Sequence, residues 1–156
     1  FVSMFVIGNR HPEYVLNFRE ELKSANYRRT YLAGINVRVI LERLKMLMEE
    51  EKAFCDEDIT LPGLARELDI SQHQLSEILN LKVKKNFNTF INEYRIREAQ
   101  KYLLQEPKRS ILSIAAAVGF ETSSAFYNAF NKFTGLSPSQ YRKSFPSQGP
   151  GPAGKK

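Results

Sequence analysis

Tryptophan is missing from the 156 residues, and cysteine occurs once, at Cys55. A single thiol excludes an intrachain disulfide and a cysteine-based metal cluster. Histidine is almost as scarce: His11 and His73 lie too far apart in sequence to suggest a metal site or a base paired with the thiol. There is no glycine-rich phosphate loop, no acid–base pair at a useful spacing and no metal-ligand constellation, so an enzyme is the weakest reading and no cofactor or metal is expected. The apolar run Phe1 to Ile7 is far short of the roughly 20 residues that span a bilayer, and it lacks the basic start of a signal peptide. What is present is a 42% hydrophobic fraction, enough for a core, and a net charge of +6 with a pI near 9.5. Polyanions are therefore plausible partners. The charge is uneven: Leu61 to Lys143 holds 12 Lys/Arg against 7 Asp/Glu, whereas Asn36 to Phe54 balances to zero.

The stretch Ser110 to Lys143 organises the chain. Ile111, Ile114, Ala115 and Val118 recur at three- and four-residue spacing, one apolar face of a short helix. Gly119 follows where a helix-ending positive φ is cheapest for glycine. Glu121, Thr122 and Ser123 offer N-cap oxygens for a longer helix whose Phe126, Ala129, Phe130 and Phe133 read as core, with Phe120 and Tyr141. Ser137 and Pro138 then open a small closing helix. Two helices joined by a short turn containing glycine form the helix-turn-helix pattern, whose second helix can enter a major groove.

The pattern occurs twice. Leu64 to Ser71 lies over Ile114 to Glu121 at an offset of 50 residues, and beyond the turn Leu75 and Leu79 match Phe126 and Phe130 at an offset of 51. In the first copy Thr60 and Pro62 read as cap and first turn, Asp69 takes the turn position of Gly119, and Ser71 with Gln74 forms a capping box. Gln72, His73, Ser76, Glu77 and Asn80 are expected on its exposed face. An amphipathic helix from Asn36 precedes it, carrying Val37, Ile40, Leu41, Leu44, Leu47 and Met48 on one side. That stripe is too short for a coiled-coil seam and is expected to pack beneath the first motif. Between the motifs, residues 87–104 read as one long helix, about 27 Å at 1.5 Å per residue. Its apolar residues cover more than one face, as packing against both motifs requires. Arg95 and Arg97 interrupt that pattern, either to reach phosphates or to brace the two halves.

The blocks LPGLARELDISQHQLSEILN, FINEYRIREAQKYLL, SILSIAAAVGFETSSAFYNAFNKFTG and LSPSQYRK resemble the DNA-binding domain of AraC/XylS-type transcription regulators over roughly 100 of the 156 residues. The resemblance implies an all-α fold of two helix-turn-helix subdomains, first motif 61–80 and second 110–134, within a domain 36–145. Residues 1–35 would be a linker or the end of a sensor region, and the Pro/Gly-rich tail 146–156 is expected to be disordered. The implied function is a sequence-specific regulator reading successive major grooves of double-stranded DNA, with RNA polymerase as a further partner. The alternative is a helical protein-interaction module without specific DNA binding.

Carried over residue by residue, the resemblance turns His73, Ser76 and Glu77 towards bases in the first motif and Ser124, Ala125 and Asn128 in the second. An asparagine can bond adenine N6 and N7 together, a glutamate can accept from cytosine N4, and alanine can touch only a thymine methyl. The competing reading of Glu77 is a surface charge paired with Lys82. Phosphate contacts are expected from Lys82, Lys84 and Lys85, with a solvated loop as the competing reading, and from Lys108, while Ser110, Tyr127, Lys132 and Arg142 read as phosphate or framing contacts. Members of the family usually carry glycine near the position of Lys84, so this chain must make that turn without it. One subset of the family has a multi-span membrane sensor ahead of the DNA-binding part. Phe1 to Ile7, followed by Arg10, Arg19, Lys23, Arg28 and Arg29, resembles such a junction entering the cytoplasm from an inner-membrane anchor. A soluble sensor domain or packed leader is the competing expectation.

Overall fold

The computed structural model describes Leu32 and residues 34–145. The expectations for the membrane junction, the linker and the tail beyond Phe145 lie outside the described residues. Helix α1, Val37–Glu49, starts where Asn36 accepts a hydrogen bond from the Val39 amide, and buries Ile40, Leu44, Leu47 and Met48. Lys52 then adopts a left-handed conformation (φ 51°) and leads into a 3₁₀ turn, Ala53–Cys55, that inserts Phe54 into the core.

The first motif follows as α2, Leu61–Glu67, and α3, Gln72–Ile78. Thr60 caps α2 through the Gly63 amide with Pro62 in the first turn. The Ser71–Gln74 capping box of α3 is formed in both directions. Asp69 does take the left-handed turn position (φ 55°), and its carboxylate pairs with Arg43 of α1 at 3.0 Å.

The chain departs from expectation after α3. It does not leave the helix at Asn80 but continues as a π-helical turn, Leu79–Val83, closed by Lys84 at φ 61°. Leu79 is buried and Val83 packs on the same core, which favours keeping the backbone coiled there. Lys84 supplies the positive φ that glycine would take more cheaply, at a cost of about 1–2 kcal/mol.

Helix α4, Phe87–Gln105, is capped by Asn86 and runs 19 residues, about 28 Å. Its first half buries Phe90 and Ile91 among the residues of α1 to α3, while Ile96, Ala99 and Leu103 of its second half belong to a separate core. That second core is built with α5, Ile111–Ala117, α6, Ser123–Thr134, and α7, Pro138–Ser144. Ser110 caps α5, Gly119 makes the turn at φ 88°, and Thr122 caps α6. The aromatic chain Phe120–Phe126–Phe130–Tyr141 runs through it with ring centroids 5.3 to 5.6 Å apart. Phe133 and Tyr141, expected as core, are half-buried and pack on its edge. All described regular structure is helical.

Candidate nucleic-acid interface

Helix α6 has two unlike faces. Phe126, Ala129 and Phe130 are buried, whereas Ser124, Ala125 and Asn128 are exposed. At spacings of three and four residues the latter share one side of the helix, so the three candidate base readers of the second motif stand together. Tyr127 and Lys132 are also exposed, the Tyr127 ring meeting Phe126 edge-on at 5.9 Å. The Ser110 hydroxyl accepts from the Ser113 amide at 3.1 Å, which leaves its proton available to an acceptor.

The first motif is less open. His73 is exposed at the start of α3. Ser76 and Glu77, expected on the surface, are half-buried instead. The helical chain beyond α3 brings Asn80 beside Ser76, whose hydroxyl lies 3.5 Å from the Asn80 amide nitrogen. Both carboxylate oxygens of Glu77 are shielded from solvent and accept no hydrogen bond among the described residues, and no ion pair joins Glu77 to Lys82. A side-chain rotation is needed before this carboxylate can reach a base edge. The structure thus presents neither reading of Glu77 directly.

A profile of the helix-turn-helix domain family matches residues 64–144. The chain belongs to the AraC-type helix-turn-helix family. The Msm operon regulatory protein of Streptococcus mutans is 38% identical over 80 residues, 51% of this chain and 28% of that protein. The melibiose operon regulatory protein of Escherichia coli is 33% identical over 88 residues, 56% of this chain and 29% of that protein. The chain spans less than a third of the length of these two regulators. Among solved structures, the C-terminal domain of AraT, a response regulator from Geobacillus stearothermophilus, superposes with a TM-score of 0.63 at 31% identity, covering 69% of this chain and 86% of that one. The family is one of DNA-binding transcription regulators, a non-enzymatic class.

Within this AraC-type domain the basic side chains divide into two groups. Lys82, Lys84, Lys108 and Lys132 are exposed, and none joins an ion pair among the described residues. Two other expected phosphate ligands are committed elsewhere. Lys85 is half-buried and pairs with Glu93 of α4, which also holds Arg97. Arg142 is half-buried and donates Nη2 to the Arg109 carbonyl at 2.8 Å, tying α7 to the turn ahead of α5. Framing is its role in this structure.

The middle of α4 carries what sequence reading saw only in part. Arg95 does not reach outward: it is 9% exposed and donates to the carbonyls of Phe54 and Asp56 at 2.7 Å each. Burial pulls the Arg95 guanidinium below its ordinary pKa. Glu98, which the sequence reading passed over, is 6% exposed and accepts from Lys52 at 2.5 Å and Lys101 at 3.0 Å. The available signal was spacing, since Ile91, Arg95 and Glu98 fall at i, i+4 and i+7 on one stripe. No helix among the described residues is long and apolar enough to cross a membrane.

Proposed function

We propose that α3 and α6 enter successive major grooves on one side of duplex DNA, with α6 as the principal reader. The observation that carries this is the face of α6, where Ser124, Ala125 and Asn128 stand exposed together opposite a buried aromatic row. Asn128 would take adenine through paired hydrogen bonds, and Ala125 a thymine methyl. On α3 the reader would be His73, assisted by Ser76 and, after rotation, Glu77. Lys82, Lys84, Lys108 and Lys132, with Ser110 and Tyr127, would hold the backbone. The 28 Å of α4 is commensurate with the roughly 34 Å between groove entries on one face of the duplex.

On this reading the polypeptide acts in the cytoplasm as a regulator without catalytic activity, and RNA polymerase is its second partner. A membrane-embedded sensor joined ahead of Phe1 is the form of input that the basic-flanked apolar run supports. The test is selection of bound sequences from a random duplex pool at two salt concentrations. A bipartite site with halves about one helical turn apart is the expected product. Binding without sequence preference that vanishes with salt would leave only a basic helical domain.

A further inference from the structure

The two cores of the domain share one rod, α4, yet the rod is not their only connection. The 3₁₀ turn Ala53–Cys55, whose Phe54 is part of the first core, also lies against the second unit at Gly119. A Cβ added to Gly119, in the turn between α5 and α6, would lie 2.7 Å from the Phe54 carbonyl oxygen and 2.8 Å from that of Cys55. The backbones of the two units therefore meet directly at the turn that orients α6. Arg95 sits at the same point. Its Nε and Nη2 donate to Phe54 and Asp56 of the first unit, and its guanidinium carbon lies 5.3 Å from the ring centroid of Phe120 in the second. Phe54 belongs to one core and Phe120 to the other. One helical turn further on, Glu98 holds Lys52, the residue that leads into the 3₁₀ turn.

This arrangement is costly unless the geometry it enforces is useful. Apolar side chains at the same positions would pack the junction without burying a charge. A planar, doubly bonded guanidinium offers something they do not: a fixed distance and a fixed angle between the groups it joins. We infer that Arg95 is a positioning residue for two-headed DNA recognition, locking the 53–55 turn to Phe120 so that the separation and twist of α3 and α6, and hence the accepted half-site spacing, are set. The inference rests on the two-groove reading above. It adds that spacing is read by the inter-unit junction and not by the recognition helices themselves.

The experiment has two arms. In the first, the selected bipartite site is shortened or lengthened by one base pair, which rotates one half by roughly 34° at about 10.5 base pairs per turn. The wild-type chain should lose about tenfold or more in affinity on either change, because the second contact no longer forms without strain. Arg95→Met should bind the original site more weakly and lose less than about threefold on either change. In the second arm, spin labels at Arg66→Cys and Leu112→Cys, in a Cys55→Ser background, report the distance between the units without DNA. Arg66 and Leu112 are exposed, one on each motif. A narrow distribution that broadens in Arg95→Met is the expected result.

If Arg95→Met does not fold, Arg95→Lys carries the test, since an ammonium keeps the charge but cannot hold the Phe54 and Asp56 carbonyls in one planar fork. A folded variant with the same narrow distribution and the same spacing preference overturns the inference. Absence of any bipartite site for the wild-type chain would instead sink the two-groove reading. The distance arm would still decide whether the junction is locked.

Discussion

Asn128 and Lys84 are both polar and exposed, but their side chains offer different chemistry to DNA. An amide held on the exposed face of α6 can satisfy one base pair and leave others unsatisfied. A lysine beside the first motif sees only charge. Asn128→Ala should therefore cost about 1–3 kcal/mol on the preferred site and relax discrimination at one or two base positions. Lys84 adds a second consequence, because it occupies left-handed backbone at φ 61°. Lys84→Gly should raise unfolding free energy by about 1 kcal/mol while weakening every DNA sequence alike and reducing the salt slope by about one. Urea unfolding and binding isotherms at several salt concentrations separate the two effects. If Lys84→Gly altered sequence preference, its assignment to the backbone would be wrong. The exposure of the candidates on α6 was legible because its apolar row, Phe126, Ala129 and Phe130, is unambiguous and leaves the opposite side to solvent. Lys85 was not legible, and for Arg142 the sequence left phosphate contact and framing both open, since their partners, Glu93 and the Arg109 carbonyl, are brought to them only by tertiary packing.

The elements themselves were largely written in local chemistry. Asn36, Thr60, Ser71, Ser110 and Ser137 each accept from the amide three residues on, as cap residues do. Apolar periodicity then settled the buried sides of α1, α2, α3, α5 and α6. The π-helical turn Leu79–Val83 escaped because its sequence, LNLKV, carries no cap signal or glycine that sets it apart from an ordinary helix end. The 3₁₀ turn at Phe54 escaped for a related reason, as three residues carry no period at all. Capping also yields a test at this scale. The Thr122 hydroxyl accepts from the Ala125 amide, so Thr122→Ala should destabilise the domain by about 1 kcal/mol. Because that cap orients the first turn of α6, where Ser124 and Ala125 stand, specific DNA affinity should fall by more than non-specific affinity. A variant that loses stability but keeps the full specificity ratio would show that the first turn is held by packing alone.

At the scale of the whole molecule, two modest cores are held by a junction that contains buried charge, so stability should depend on pH in a way that neither core alone would impose. Burial pushes the Glu98 carboxyl up, but hydrogen bonds from Lys52 and Lys101 more than offset it and leave it below its ordinary value of 4.5. The same hydrogen bond to Glu98 holds the Lys52 ammonium above its ordinary 10.5, against a smaller opposing effect of burial. A carboxyl lowered on folding contributes stability above its unfolded pKa and loses it as pH falls through the folded one. An ammonium raised on folding contributes fully below its unfolded pKa and loses that contribution as pH rises through the folded one. The junction should therefore weaken at both ends, below about pH 4.5 and above about pH 10.5. Glu98→Gln removes the group on which both limbs depend. Calorimetric melting from acid to alkaline pH should show the variant less stable than the wild type at neutral pH, with the gap narrowing towards either extreme. A gap of constant size across the range would mean that Glu98 acts through packing, and that the charge at the junction contributes nothing to holding the two helical units together.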